Sequence, residues 1–246
     1  MKSEPAGPRA TFQEQVLDQL GKDICSGRYR PGQVLPSEGE LCERFNFSRI
    51  VIREAIKSLS AKGMLEVRRR VGTLVLETTR WNLFDPDIIA WRADAAEVDP
   101  VMSRDLVELR RIVEPAAVRL AAARASDDER RALRAAYMAM ERAVNGKGDY
   151  VKADVAFHAT ILSACGNQYV RQMHEAMSSL LHAMFKIVSE KPGGPASSLG
   201  MHEAVCQAIE AGDPVAAERA ALVLIEHAEA DLQDRLRLRK SVPQNP

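Results

Sequence analysis

The four cysteines of this 246-residue chain, Cys25, Cys42, Cys165 and Cys206, stand far apart and form no Cys-x-x-Cys pair. Such spacing fits reduced thiols in a reducing compartment rather than a disulfide framework. Long hydrophobic runs are missing as well: nowhere do about 18 apolar residues follow one another, so no membrane-spanning helix is expected. The first ten residues, MKSEPAGPRA, carry proline and charge where a signal peptide needs an apolar stretch, and the expected location is cytoplasmic. An excess of either charge is also absent, with 34 Lys+Arg against 34 Asp+Glu. On its face that balance speaks against a phosphate-rich partner. What the chain does have is 46% hydrophobic side chains, enough for one large core or two modest ones, which excludes a fibrous or disordered protein.

The charge balance conceals an asymmetry. Residues 1–80 hold 14 basic and 10 acidic side chains, leaving 20 basic and 24 acidic for residues 81–246, so the zero is +4 plus −4. Between residues 43 and 70 stand Arg44, Arg49, Arg53, Lys57, Lys62, Arg68, Arg69 and Arg70, against Glu43, Glu54 and Glu66. The hydrophobic period changes in the same region. Phe12, Val16, Leu20 and Ile24 recur at helical spacing until a turn over residues 29–32. Ser37, with Glu40 three positions on, makes a capping box for a short helix bearing Leu41 and Phe45. Ser48 is expected to cap a second helix carrying Ile52, Ile56 and Leu59, ended by Gly63. Residues 65–67 and 73–75 alternate as two short strands around an arginine-rich tip. Helix, helix–turn–helix and hairpin in that order predict a winged helix over residues 1–80.

The second helix of a helix–turn–helix lies in the major groove with its N-terminal side chains at the base edges. Ser48, Arg49 and, one turn on, Arg53 share that position. Arginine can fork onto guanine or pair with phosphate. Arg68, Arg69 and Arg70 at the tip suit a wing on the minor groove or backbone. The alternative is that these are solvated charges on a small helical domain.

Residues 81–100 read as an inter-domain linker holding Trp81, Trp91 and an Asp85–Pro86 helix start. Residues 101–240 carry only helical patterns, with helices expected over 101–124, 127–144, 149–165, 167–189, 197–211 and 214–237 and a break at Pro192-Gly193-Gly194. The expected fold class is mainly α: a winged helix–turn–helix followed by an all-α bundle. Within the bundle Asp154 and His158 are four apart on one helical face, and His202 and His227 sit among apolar neighbours on later helices. One carboxylate and three imidazoles form a borderline N/O set for zinc, nickel, manganese or iron. A hydrogen-bonded core histidine is the competing reading of each.

The segments GRYRPGQVLPSEGELCERF (residues 27–45) and SRIVIREAI (residues 48–56), with Gly72-Thr73, resemble the winged-helix signature of the GntR family of bacterial transcription factors. The resemblance implies DNA contacts at Ser48, Arg49 and Arg53, with Arg69 and Arg70 on the wing. Gly39 departs from the pattern where relatives often carry an arginine, and Arg70 stands where the tip often has glycine or another small residue. ELRRIVEPAA (residues 108–117), DVAFH (154–158), ACGNQ (164–168), Met201-His202 and GDPVAA (212–217) resemble the C-terminal FCD-type domain of the FadR branch of that family. That likeness implies a divalent metal, zinc first, on Asp154, His158, His202 and His227, and an effector carboxylate held near Arg110 and Asn167. The stretches at 20–29 and 81–91 are similar to the galactonate-operon repressor subgroup, which implies a sugar-acid effector of the aldonate type. The expected protein is thus a ligand-responsive repressor acting as a homodimer on a pseudo-palindromic operator, with residues 76–100 coupling its two parts. A regulator that senses the metal itself is the alternative. A zinc hydrolase is disfavoured, because no general-base glutamate stands at helical spacing from a ligand and a DNA-reading head would be unexplained; no enzyme is expected.

Overall fold

The computed structural model describes residues 11–94, 100–188 and 194–241. The chain divides into two compact units, residues 1–97 and residues 98–246.

The first unit is a winged helix. Helix α1 (Phe12–Cys25) starts on a capping box in which Thr11 and Glu14 satisfy each other's backbone amides. Helix α2 (Glu38–Phe45) starts on the expected Ser37–Glu40 box and ends on Asn46, left-handed at φ 56°. Helix α3 (Arg49–Ala61) follows after the three residues Asn46, Phe47 and Ser48. The apolar faces of the three helices meet in a core that includes Val16, Leu20, Leu41, Ile52, Ile56 and Leu59. Each such side chain contributes about 1.5–3 kcal/mol of burial. Strands β1 (Leu65–Arg68) and β2 (Gly72–Val75) pair antiparallel, Leu65 opposite Val75 and Arg68 opposite Gly72. The chain before α2 fastens this hairpin: Leu35 N–H donates to Thr73 and Val75 N–H to Gln33, both at 2.8 Å. At the tip Arg70 has φ 65°, the conformation in which glycine costs nothing and another residue about 1–2 kcal/mol.

Residues 81–94 of the segment read from sequence as a linker belong to this unit, and several of their side chains enter its core. Helix α4 (Pro86–Ala93) is capped by Asp85, and its Ile88 and Trp91 join Trp81 in the head's core. Gly21 makes room for this packing, since a Cβ there would meet the Trp91 ring at 2.4 Å. Trp91 Nε1 donates to Asp18 at 2.8 Å, and Lys62 Nζ lies 2.7 and 2.8 Å from Asp85 and Asp87. Two tryptophans cannot be left in water without losing large apolar area, and the spacing of a linker gives no hint of the glycine that receives one of them. Residues 95–99 lie outside the described residues.

The second unit is an all-α bundle of α5 (Pro100–Arg124), α6 (Asp127–Val144), α7 (Tyr150–Ala164), α8 (Gln168–Gln172), α9 (His174–Val188), α10 (Gly194–Glu210) and α11 (Pro214–Ser241). The helix expected over 167–189 is two. Asn167 Oδ1 caps α8, the chain breaks at Met173, and α9 restarts at His174. Residues 189–193 lie outside the described residues, and Gly194, expected to belong to the break at 192–194, is the first residue of α10. Helix α7 runs against α5, α6 and α9, while α11 lies along α5 and α10. That central place explains why α7 is buried on most sides, with Phe157, Ile161 and Leu162 in the core. Among the described residues no helix is long and apolar enough to cross a membrane. All four cysteines are free thiols, and burial pushes those of Cys25 and Cys206 up to about 12.

Candidate functional site

The face presented by the N-terminus of α3 is basic and partly uncommitted. Ser48 takes the N-cap position, but its hydroxyl makes no capping hydrogen bond and is exposed, so it stays available at the helix's positive end. Several basic side chains of this unit already have carboxylate partners. Arg44 reaches the buried Asp23 at 2.5 Å, Arg53 Nε reaches Glu38 at 2.8 Å, Lys57 reaches Glu54 at 2.7 Å and Arg68 reaches Glu66 at 2.8 Å. Arg49, Arg69 and Arg70 are exposed and have no such partner among the described residues. Beside Arg49 the side chain of Ile50 is 74% exposed. A thymine methyl is an apolar feature of the major groove, so an exposed isoleucine here is a candidate base contact that a pattern of charge does not reveal. Gly39 lies in α2, where a Cβ would meet only the Ser37 hydroxyl, at 3.9 Å, so there is room for a side chain at that position.

In the bundle, three of the four expected metal ligands come together. Asp154 and His158 on α7 and His202 on α10 offer ligand atoms all within 4.8 Å of one another, and all three are buried. His202 Nδ1 lies 2.9 Å from the Ser198 carbonyl, which can only accept, so the neutral ring carries its proton there. Its Nε2 therefore turns a lone pair toward Asp154 Oδ1 at 2.9 Å. His158 Nδ1 faces Glu114 Oε2 at 3.3 Å, and its Nε2 faces Asp154 Oδ2 at 3.8 Å. Neither oxygen of Asp154 receives a hydrogen bond, although both are fully buried. A buried carboxylate left so is costly unless a cation joins it. Two ligands on one tetrahedral zinc at about 2.0–2.1 Å stand about 3.3 Å apart, between the two separations observed. The residues therefore fit a divalent ion. The Phe157 ring stands nearly perpendicular to both imidazoles, with centroid separations of 5.7 and 5.3 Å.

His227, the fourth expected ligand, stands outside this group. It is half-buried on α11, with Nε2 3.1 Å from Ser197 Oγ and 3.5 Å from Asp231. Arg110 is buried beside the cluster, but its fork closes on Glu114, Nε to Oε1 at 2.7 Å and Nη2 to Oε2 at 3.2 Å. Nη1 faces the Met184 sulfur at 3.8 Å. Burial alone would raise the Glu114 carboxyl; Arg110 and then His158 outweigh it and hold it far below the usual carboxylate range. Burial likewise works to lower His158, but Glu114 and Asp154 prevail and raise it. Asn167 spends its side-chain oxygen on capping α8, accepting from the amides of Tyr169 and Val170. Sequence reasoning passed over Glu114. It sits one turn after Arg110 on α5, and only the approach of α7 reveals its second partner.

Residues 12–75 match the model of the gntR family of bacterial regulatory proteins, and residues 105–227 match the FCD domain. The chain is 34% identical to the galactonate operon transcriptional repressor of Escherichia coli (strain K12) over 90% of its own length and 96% of that protein's. A solved GntR protein of Streptococcus agalactiae is 29% identical with a TM-score of 0.50, covering 89% of this chain and 99% of that one. The structure of Lar, which controls expression of the Listeria monocytogenes agr system, superposes with a TM-score of 0.67 over 93% of this chain and 99% of its own. At 19% identity the last likeness concerns the fold alone.

Proposed function

From the premise that the chain belongs to the GntR family of bacterial transcriptional regulators, with an FCD domain behind its DNA-binding head, we propose a metal-dependent homodimeric repressor of a sugar-acid catabolic operon. Its heads read the two halves of a pseudo-palindromic operator through Ser48, Arg49, Ile50 and Arg53, with Arg69 and Arg70 on the wing. The observation that carries the metal is the buried Asp154 carboxylate, faced by two imidazole nitrogens and satisfied by no donor. A zinc ion bound there would supply a Lewis-acid position for one end of a carboxylate effector. Around it the protein's own groups orient the ligand. The buried Arg110 guanidinium, close enough to Asp154 to feel its charge, is the cation beside the site, and the Tyr150 hydroxyl, 2.9 Å from Ser198 Oγ, belongs to a polar pair near Asp154. Likeness to a galactonate operon repressor along both units supports an aldonate as the effector class.

An effector acts only through unequal affinity for the DNA-competent and incompetent states. The test is a thermal-shift series on the full chain, either zinc-loaded or treated with chelator, against D-galactonate, D-gluconate and other small carboxylates. Each loaded sample is then titrated onto an operator selected from random-sequence DNA. An effector at about 100 times its Kd stabilises the folded protein by about 2.7 kcal/mol. The expected result is that an aldonate raises the melting temperature of the zinc-loaded protein and changes operator affinity, and does neither after chelation. Zinc alone changing operator affinity, with no acid adding to it, would instead establish a metal sensor.

A further inference from the structure

The two histidines of the cluster are aimed by different means. His202 is held by its own helix, since the Ser198 carbonyl that receives its Nδ1 proton lies four residues earlier on α10. His158 has no such support. The residue four earlier on α7 is Asp154, whose side chain faces the other ring nitrogen. Its Nδ1 is met by a side chain from another helix, Glu114 of α5, at 3.3 Å. We propose that Glu114 is a positioning residue, held by Arg110, which fixes His158 as its Nδ1–H tautomer and so aims the Nε2 lone pair at the cation position beside Asp154. The inference rests on the metal reading above.

The arrangement is hard to explain as ordinary core packing. A buried Arg–Glu pair is generally no more stabilising than two apolar side chains of similar volume. Arg110 and Glu114 are each 5% exposed, and a pair spaced i to i+4 on one helix ties no elements together by itself. What the pair does supply is a fixed acceptor. With Arg110 donating to both of its oxygens, the Glu114 carboxylate presents an acceptor to the ring. The proton on the Glu114–His158 line must therefore be the ring's, which leaves Nε2 free for a cation. Carboxylate-held histidines of this kind orient metal ligands, and losing the carboxylate typically weakens metal binding 10–100-fold.

Glu114→Gln tests the idea, because the amide can present a donor to Nδ1 and drive the proton to Nε2. The double variant Arg110→Met/Glu114→Met serves as a second test that leaves no buried unpaired charge. Zinc affinity of the full chain is measured by competition with a chromophoric chelator. The tautomer is read in zinc-free protein by long-range 1H–15N correlation of the histidine rings, at a pH where His158 is neutral. The expected results are zinc binding about 10–100-fold weaker in both variants, Nδ1–H at His158 in the unsubstituted protein, and Nε2–H in Glu114→Gln. An Nε2–H ring in the unsubstituted protein, or unchanged zinc affinity in both variants, would overturn the assignment. Should the unsubstituted protein bind no zinc, the metal reading alone fails, and the tautomers still decide what Glu114 does.

Discussion

Internal pairing on the winged head makes its salt dependence calculable. Of the basic side chains between residues 44 and 70, Arg49, Arg69 and Arg70 have no carboxylate partner among the described residues. Arg44, Arg53, Lys57, Lys62 and Arg68 each have one. A paired arginine must give up its carboxylate before it neutralises a phosphate, so its net counterion release is small. Three uncommitted arginines per head make six in the proposed homodimer. At about 0.9 units of slope per neutralised phosphate, log affinity should fall with log salt at about −5, a loss on the order of 10³ between 50 and 200 mM. The assay is fluorescence anisotropy on a selected operator and on an unrelated duplex of equal length, across that salt range, with stoichiometry fixed by titration at saturating concentration. Arg69→Ala should make the slope shallower by about 2, one unit per head. Arg68→Ala should barely change it, because Glu66 already holds that guanidinium at 2.8 Å. Freeing Arg68 by Glu66→Gln should steepen it. Equal losses of slope for Arg68→Ala and Arg69→Ala would refute the premise that internal pairing selects the phosphate contacts.

Ile50 is expected to bury a thymine methyl, worth about 0.8 kcal/mol or roughly fourfold per half-site. Deoxyuridine in place of one thymidine per half-site should weaken the unsubstituted protein by that factor and leave Ile50→Ala unaffected, as measured by competition binding. Lys62→Met leaves Asp85, 16% exposed, without its cation and should lower the stability of the head by about 2 kcal/mol in urea unfolding. Burial acts to lower the Lys62 pKa, but Asp85 and Asp87 outweigh it and raise it. The contribution is therefore fully present below the unfolded value of about 10.4 and fades only as pH rises through the higher folded one. The gap between the unsubstituted protein and Lys62→Met should accordingly hold constant from neutral pH to about 10 and close above it; closure on acidification instead would contradict the assignment.

How far the molecule can be read from its residues depends on where each determinant lies along the chain. The capping box of Ser37 and Glu40 involves residues three apart, and the Asp154–His158 face involves residues four apart. Both are legible because helical geometry alone brings such neighbours together. The seating of Trp91 on Gly21 and the contact of His158 with Glu114 join residues 70 and 44 positions apart in sequence. No periodicity encodes either, and a glycine within a helix or a glutamate on a charged one looks unremarkable by type. The division at Met173 is of a third kind: the apolar pattern runs on through it, and the interruption is a local cap in which the Met173 amide turns back to the carbonyls of Tyr169 and Val170. His227 marks the opposite limit. Its apolar neighbours made it resemble His202, yet it lies on α11 facing Ser197 and Asp231, because a helical period gives a residue's face and not its depth along the helix. Function in this chain is therefore most legible where one helix carries it, as at α3 and α7. It is least legible where a second helix completes it, and at the candidate metal centre that completing residue is Glu114, supplied by α5.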